Sequence, residues 1–314
     1  MSSPRPSSIR LILGYIVICA IWGTTWLAIK FSIFTLPPFF SAGLRFTIAT
    51  VLIAAVLKFR KYKYRFDLNE TIFLLLVGLG SFSVPYGLVY WAEGRITSGL
   101  TAVTFAVMPF FAAILSKFML KNEELNFWKV FGILLGFLGL IVIFGGDVRV
   151  GSIGAAAGIL AVVASAFFNA LVAVGVKKHG YHIDPVFINL IPMGLGAVTL
   201  LGTSFFIEDW SALTFNLSTV LAILYLAVFG SVVAFVIYFY LLKHISVVLL
   251  SMTSFITPLL AIGSGALVLG EKFPSGTLLG SALILGGVLL MNLYGEHGST
   301  AGTVAPGGGE VSPK

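Results

Sequence analysis

LTAVTFAVMPFFAAILSKFML, residues 100–120, and LLSMTSFITPLLAIGSGALVL, residues 249–269, are two versions of one segment. Leu100, Thr104, Pro109, Ala112 and Leu120 fall on Leu249, Thr253, Pro258, Ala261 and Leu269 at a constant offset of 149. After a one-residue gap, Glu123, Gly132, Leu135 and Gly139 fall on Glu271, Gly280, Leu283 and Gly287. Outward from this match, the chain reads as written twice, in two apolar halves. If each half holds an odd number of membrane spans, the second copy enters the bilayer from the opposite side, and inverted repeats of that kind can exchange inward-open and outward-open shapes.

Composition supports the membrane reading. Hydrophobic residues make up 58% of the chain and charged residues 10%, with a mean hydropathy of +1.05; soluble domains carry about 25% charged residues. The 35 glycines suit helices packing in lipid, where small residues let backbones approach. Gly132 with Gly136, Gly154 with Gly158 and Gly276 with Gly280 have GxxxG spacing, which chance in a glycine-rich span also produces. The net charge of +7 would suggest nucleic acid in a soluble domain, but these charges sit between apolar runs, and no nucleic-acid partner is expected. Cys19, the single cysteine, permits neither an internal disulfide nor a thiolate cluster.

A helix needs about 20 apolar residues to cross the hydrocarbon. The sequence offers ten such runs, at approximately 11–29, 37–57, 72–92, 98–118, 127–144, 153–176, 186–207, 220–242, 247–269 and 277–293. The expected fold is an all-α membrane protein, ten transmembrane helices in two inverted five-helix repeats, 11–144 and 151–294, with disordered tails at 1–10 and 295–314. The first run lacks a following small-residue cleavage site and reads as a retained helix. Alternate connections are basic, carrying Lys58, Arg60, Lys61, Lys63 and Arg65, then Lys117, Lys121 and Lys129, then Lys177 and Lys178, then Lys243; Arg5, Arg10 and Lys314 fall on the same side. The others carry only Lys30, Arg95, Arg149 and Lys272, so both termini are expected in the cytoplasm.

The Trp22-Gly23-Thr24-Thr25-Trp26 run, the Leu44-Arg45-Phe46 triplet and the twice-used order of mid-helix Pro, Glu and glycine-spaced helix resemble the EamA-type family of the drug/metabolite transporter superfamily, over residues 9–294. The resemblance implies a carrier whose inner helices line a central cavity, with the fifth and tenth at the periphery. Many such carriers export amino acids or other small metabolites, some export drugs or nucleosides, and others take substrates up.

Pro109 and Pro258 each remove an intrahelical bond, which reads either as a hinge or as a static kink satisfied by neighbours. Ser83, Tyr86, Tyr90 and Glu93 are spaced 3, 4 and 3, one helix face that would be costly in lipid. Tyr86 and Tyr90 are cavity candidates, with an interfacial belt as the alternative. Arg45 is the basic residue deep within a span, ~12 Å from its end. It either attracts a substrate carboxylate or changes partner during the cycle, or else forms a fixed bridge to Glu93 or a carbonyl cap that holds the helices. Further cavity candidates are Trp22 and Thr25 (with Trp26), Thr101 and Thr104, Ser165 and Asn169, and Ser251 and Ser254, each hydroxyl alone reading first as an interhelical or backbone bond; Tyr238 and Tyr240 add aromatic lining that packing alone would also explain.

No acid lies mid-span, so facilitated export or exchange is expected ahead of proton coupling. No GxxxxGK[ST] loop is present for ATP, and no cofactor or metal is expected; His179, His182 and Asp184 read as a solvated loop. Gly263-Ser264-Gly265 lacks the spacing of a nucleophile elbow and no span contains a histidine, which sets an intramembrane enzyme well behind a carrier, with a sensor or scaffold behind that. The expectation is a non-ATP, multi-pass plasma-membrane exporter of small amphipathic metabolites, foremost amino acids, acting as monomer or homodimer with the lipid bilayer as its solvent. An uptake carrier or exchanger for a nucleoside or drug is the alternative.

Overall fold

The computed structural model describes residues 8–63, 67–120, 125–147, 153–180 and 182–295, the side chains of 144–147, 212 and 292 excepted. Arg5, Arg65, Lys121, Glu123, Arg149 and Lys314 lie outside the described residues, as do 1–7 and 296–314 of the two expected tails. Ser8 to Arg10 belong to the first helix, and Gly295 closes the last. Among the described residues the secondary structure is helical, with no strand. Eight helices among the described residues are long and apolar enough to cross a membrane: α1 (Ser8–Ser32), α2 (Pro38–Phe59), α3 (Leu68–Glu93), α4 (Ser98–Met119), α6 (Ile153–His179), α7 (Phe187–Ile207), α8 (Leu217–His244) and α9 (Val247–Leu269). α5 (Phe127–Asp147) and α10 (Ser275–Gly295) have shorter apolar stretches, Phe127–Ile143 and Ser275–Met291.

Polar side chains start these helices where the sequence leaves the apolar pattern. Asp67, Thr97, Asn216 and Ser246 accept from the backbone N–H of Glu70, Leu100, Thr219 and Leu249, satisfying N–H groups that have no intrahelical partner. The Glu208 carboxylate reaches from the end of α7 to the N–H groups of Phe39 (2.8 Å) and Phe40 (2.9 Å), across the start of α2. Glu271 does the same for α4, accepting from Ser98 N and Oγ, both at 2.8 Å, and from Gly99 N at 3.2 Å. A negative group at a helix N-terminus is favoured by the unpaired N–H groups and the dipole together. α9 ends at Gly270, whose φ of +64° is left-handed, the conformation glycine adopts without a Cβ penalty.

Four of the inner helices are interrupted. α4 breaks between Phe105 and Met108, and the last carbonyl of its first piece belongs to the residue four before Pro109, where the proline ring leaves no N–H and no room. α9 breaks at Met252, ahead of Pro258. α3 and α8 instead contain π-helical stretches, Gly78–Ser83 and Leu226–Val233. Val84 N bonds Leu79 O and Ala234 N bonds Phe229 O, five residues back, so the carbonyls of Gly80 and Gly230 lose their usual helical donor.

Packing puts α5 chiefly against α10 and α2 chiefly against α7, flanking the inner helices α1, α3, α4, α6, α8 and α9. Partners recur with the halves exchanged: α1 on α9 and α6 on α4, α1 on α8 and α6 on α3, α2 on α8 and α7 on α3. α5 and α10 run antiparallel along a glycine seam. A Cβ on Gly139 would come 2.6 Å from Gly280 O, and one on Gly132 would run into Gly287 O. Large apolar side chains such as Leu134, Ile141, Leu267 and Leu279 point outward, as a surface solvated by acyl chains requires.

Candidate functional site

The interrupted helices enclose a cavity. Its wall comes from α1 (Trp22, Thr25, Trp26), α2 (Arg45), α3 (Ser81, Tyr86), α4 (Phe105, Met108), α6 (Ser165, Asn169), α8 (Phe235, Tyr238, Phe239) and α9 (Ser251, Thr253, Ser254, Thr257). Rings form much of it. Trp22 lies 5.3 Å from the rings of both Phe235 and Tyr238, and Trp26 lies 5.6 Å from Phe105. The hydroxyls are mostly tied to their own helices: Thr25 Oγ1 donates to Trp22 O (2.8 Å), Ser251 Oγ to Val248 O (2.7 Å) and Thr253 Oγ1 to Leu250 O (3.0 Å). Asn169 Nδ2 donates to Ser165 O at 3.0 Å.

Arg45 is 1% exposed and crosses from α2 to α8. Its Nε donates to Ser231 Oγ (2.8 Å), Nη2 to Gly230 O (3.1 Å) and Nη1 to Tyr90 Oη (3.3 Å). Its Cζ stands 4.9 Å from the Tyr86 ring centroid and 5.3 Å from that of Phe46. Gly230 O also accepts from Trp22 Nε1 at 3.3 Å. The π-helical stretch of α8 frees that carbonyl, so a local break in hydrogen-bond period positions two side chains at the wall.

Of the sequence candidates, Trp22, Thr25, Arg45, Tyr86, Ser165, Asn169, Tyr238, Ser251 and Ser254 line this cavity. Tyr90, Thr101 and Thr104 are buried but stand outside the lining; Tyr90 touches the site through Arg45 and through its ring contact with Tyr86, and Thr101 Oγ1 donates to Thr97 O. Pro109 and Pro258 are buried outside the lining, Pro109 at the break in α4 and Pro258 within the piece Thr253–Leu269 that follows the break in α9. The Arg45–Glu93 pair does not form: Arg45 donates to Tyr90, Ser231 and Gly230, and both Glu93 carboxylate oxygens are buried without a hydrogen-bond partner. Tyr90, a helical turn before Glu93, holds the place the carboxylate would need. The four-residue stripe on α3 splits as well. Ser83, the last residue of the π-helical stretch, accepts from Thr199 Oγ1 of α7 at 2.8 Å, while Tyr86 faces the cavity. Tyr240, two residues from Tyr238, falls outside the lining and accepts at its carbonyl from His244.

Residues missed from sequence include Ser81, Phe235, Phe239, Thr253 and Thr257; the Ser81–Pro85 spacing of four was the available signal for the first. Two lysines were read only as loop charges. Lys30 Nζ binds the carbonyls of Glu93 and Ile96 at the end of α3, the latter at 2.9 Å. Lys177 Nζ binds those of Leu242 (2.7 Å) and Ile245 (2.8 Å) at the end of α8.

The model of the EamA-like transporter family matches residues 9–145 and again 156–293. The chain is 31% identical to the "Uncharacterized transporter YoaV" of Bacillus subtilis (strain 168), over 90% of its own length and 96% of the relative's. It is 29% identical to the "Uncharacterized inner membrane transporter YedA" of Escherichia coli (strain K12), over 87% of each. A solved crystal structure matches 91% of this chain and 98% of its own with a TM-score of 0.69 at 21% identity, a likeness of fold.

Proposed function

The chain belongs to the EamA-like transporter family, and on that premise we propose a secondary carrier that exports small amphipathic metabolites, foremost amino acids, by alternating access between two inverted five-helix repeats. The observation that carries this reading is the cavity itself. It draws its wall from α1–α4 of the first half and α6, α8 and α9 of the second, so a rocking of one half against the other opens it to one side at a time.

The twofold family match, the exchange of helix partners and the antiparallel glycine seam support ten spans in two inverted repeats. The alternation of basic connections supports cytoplasmic termini in a bacterial or archaeal plasma membrane. The breaks beside Pro109 and Pro258 serve as hinges, since each already lacks continuous helical bonding. Movement runs down the substrate gradient or by exchange.

Reconstitution tests the reading. Counterflow of labelled amino acids into vesicles preloaded with the same solute is the expected result, together with resistance of expressing cells to a toxic amino-acid analogue. Tyr86→Ala and Pro109→Ala, still reaching the membrane, should lose most of that resistance. Accumulation of the analogue in expressing cells would favour the uptake alternative, and absence of counterflow for every solute tried would end the carrier proposal.

A further inference from the structure

The cavity contains donors for which the protein supplies no matching acceptor. Arg45 has five N–H groups, and the bonds to Ser231, Gly230 and Tyr90 occupy three, all with neutral acceptors. Among the described residues no carboxylate lies within ion-pair distance of this guanidinium, although it is 99% buried at the level of the wall. An uncompensated buried cation is expensive, which is why such groups are paired in folded proteins. Trp26 is 8% exposed, and its Nε1–H, which can only donate, has no partner; Ser165 Oγ, fully buried in the same wall, has none either. Aspartate and glutamate are absent from the lining, which is otherwise built of rings and small hydroxyls.

We propose that this site selects amphipathic carboxylates, the carboxylate matched to Arg45 and its free lone pairs to Trp26 Nε1–H, with a planar apolar body among the rings and no requirement for an ammonium group. The inference rests on the carrier reading and narrows it. A cation meets the guanidinium at close range with no acid to offset it, so amines are refused. A zwitterionic amino acid is accepted for its carboxylate alone, and its deaminated counterpart is bound at least as well. A neutral molecule fills the space but leaves the arginine unmatched. Rings suit this occupant because their faces accept an apolar plane, and the Tyr86 face already stabilises the guanidinium from the other side.

Four probes of one shape separate these outcomes: L-phenylalanine, 3-phenylpropionate, 3-phenylpropionamide and 2-phenylethylamine. Binding to the purified full chain is read by quenching of tryptophan fluorescence and by thermal shift, which avoids passive permeation of the weak acid and amine. The two carboxylates should bind, with the amide and amine at least about tenfold weaker, the scale of one charge-assisted pair. In Arg45→Gln the ratio of acid to amide should fall toward one; a purely structural arginine would weaken both probes alike and leave the ratio unchanged. Trp26→Phe keeps the ring and removes the N–H, and should cost the acids several-fold with little effect on the amine, so the proposal remains exposed if Arg45→Gln fails to fold. Equal binding of amine and acid, no binding of either carboxylate, or an unchanged ratio in Arg45→Gln overturns it. Counterflow of some other solute under those results leaves the carrier standing, whereas counterflow of none removes the carrier itself.

Discussion

At the residue scale, the cost of a charge in the bilayer decides what Arg45 can do. Its fork joins three elements through Ser231, Gly230 and Tyr90, which a lysine cannot reproduce with a single ammonium. Arg45→Lys is expected to keep the site positive and retain the preference for acids. It should also lower the melting temperature of the purified protein, since at least one of the three buried acceptors loses its donor at about 1–3 kcal/mol. Unchanged melting would mean that the fork is not a brace. The sequence made Arg45 legible as a candidate because a lone basic residue within an apolar run stands out by composition alone. Its partners were not legible, because Gly230 O becomes available only through a π-helical turn, and no residue pattern on α8 announces one. The stripe from Ser83 to Glu93 met different neighbours along its length, α7 at Ser83, the cavity at Tyr86 and Arg45 at Tyr90, and spacing on one helix does not say which neighbour each residue meets.

At the element scale, the ends of α3 and α8 are fastened in matching ways. Lys30, from the end of α1, binds carbonyls of Glu93 and Ile96; Lys177, from the end of α6, binds those of Leu242 and Ile245, and both target pairs are related by the offset of 149. Each ammonium satisfies carbonyls that a terminating helix leaves unpaired and opposes the negative end of its dipole. Each clasp borders the short turn into α4 or α9, next to the capping residues Thr97 and Ser246. Under the inverted-repeat arrangement proposed above, the two clasps fall at opposite faces of the membrane. Lys30→Met should therefore raise thiol labelling of a cysteine placed at Thr97 by about tenfold, the scale of a lost charged hydrogen bond, and leave one at Ser246 unaffected; Lys177→Met should do the reverse. A response at both ends to either substitution would show that the clasps do not act locally. Charge counting places these lysines in connections but does not find their partners, which are backbone atoms with no sequence signature.

At the scale of the whole molecule, the repeat was the most legible feature, because an offset of 149, and of 148 past a one-residue gap, aligns residues of different chemistry: a proline and a threonine at the first, glycines at the second. Its spatial consequence appears where α5 meets α10. The seam joins Gly132 to Gly287 and Gly139 to Gly280, and the offset of 148 that carries Gly132 to Gly280 and Gly139 to Gly287 turns one contact into the other. Two of the three GxxxG pairs read from sequence, Gly132 with Gly136 and Gly276 with Gly280, pointed to this region without naming the partner, since spacing records which residues share a face and not what that face meets. Backbones this close leave no space for a side chain on either helix, and in lipid such packing has no hydrophobic drive to replace it. Gly139→Val and Gly280→Val should each lower thermal stability and the monodisperse fraction in detergent, by similar amounts because each breaks the same contact. The double substitution should cost clearly less than the sum, since the second valine enters a seam already parted by the first. Gly202→Val, where an added Cβ meets nothing within 4 Å, is the matched control and should change little. Strict additivity of the two seam substitutions would mean that Gly139 and Gly280 contribute independently, and the twofold contact would then have no part in holding the halves together.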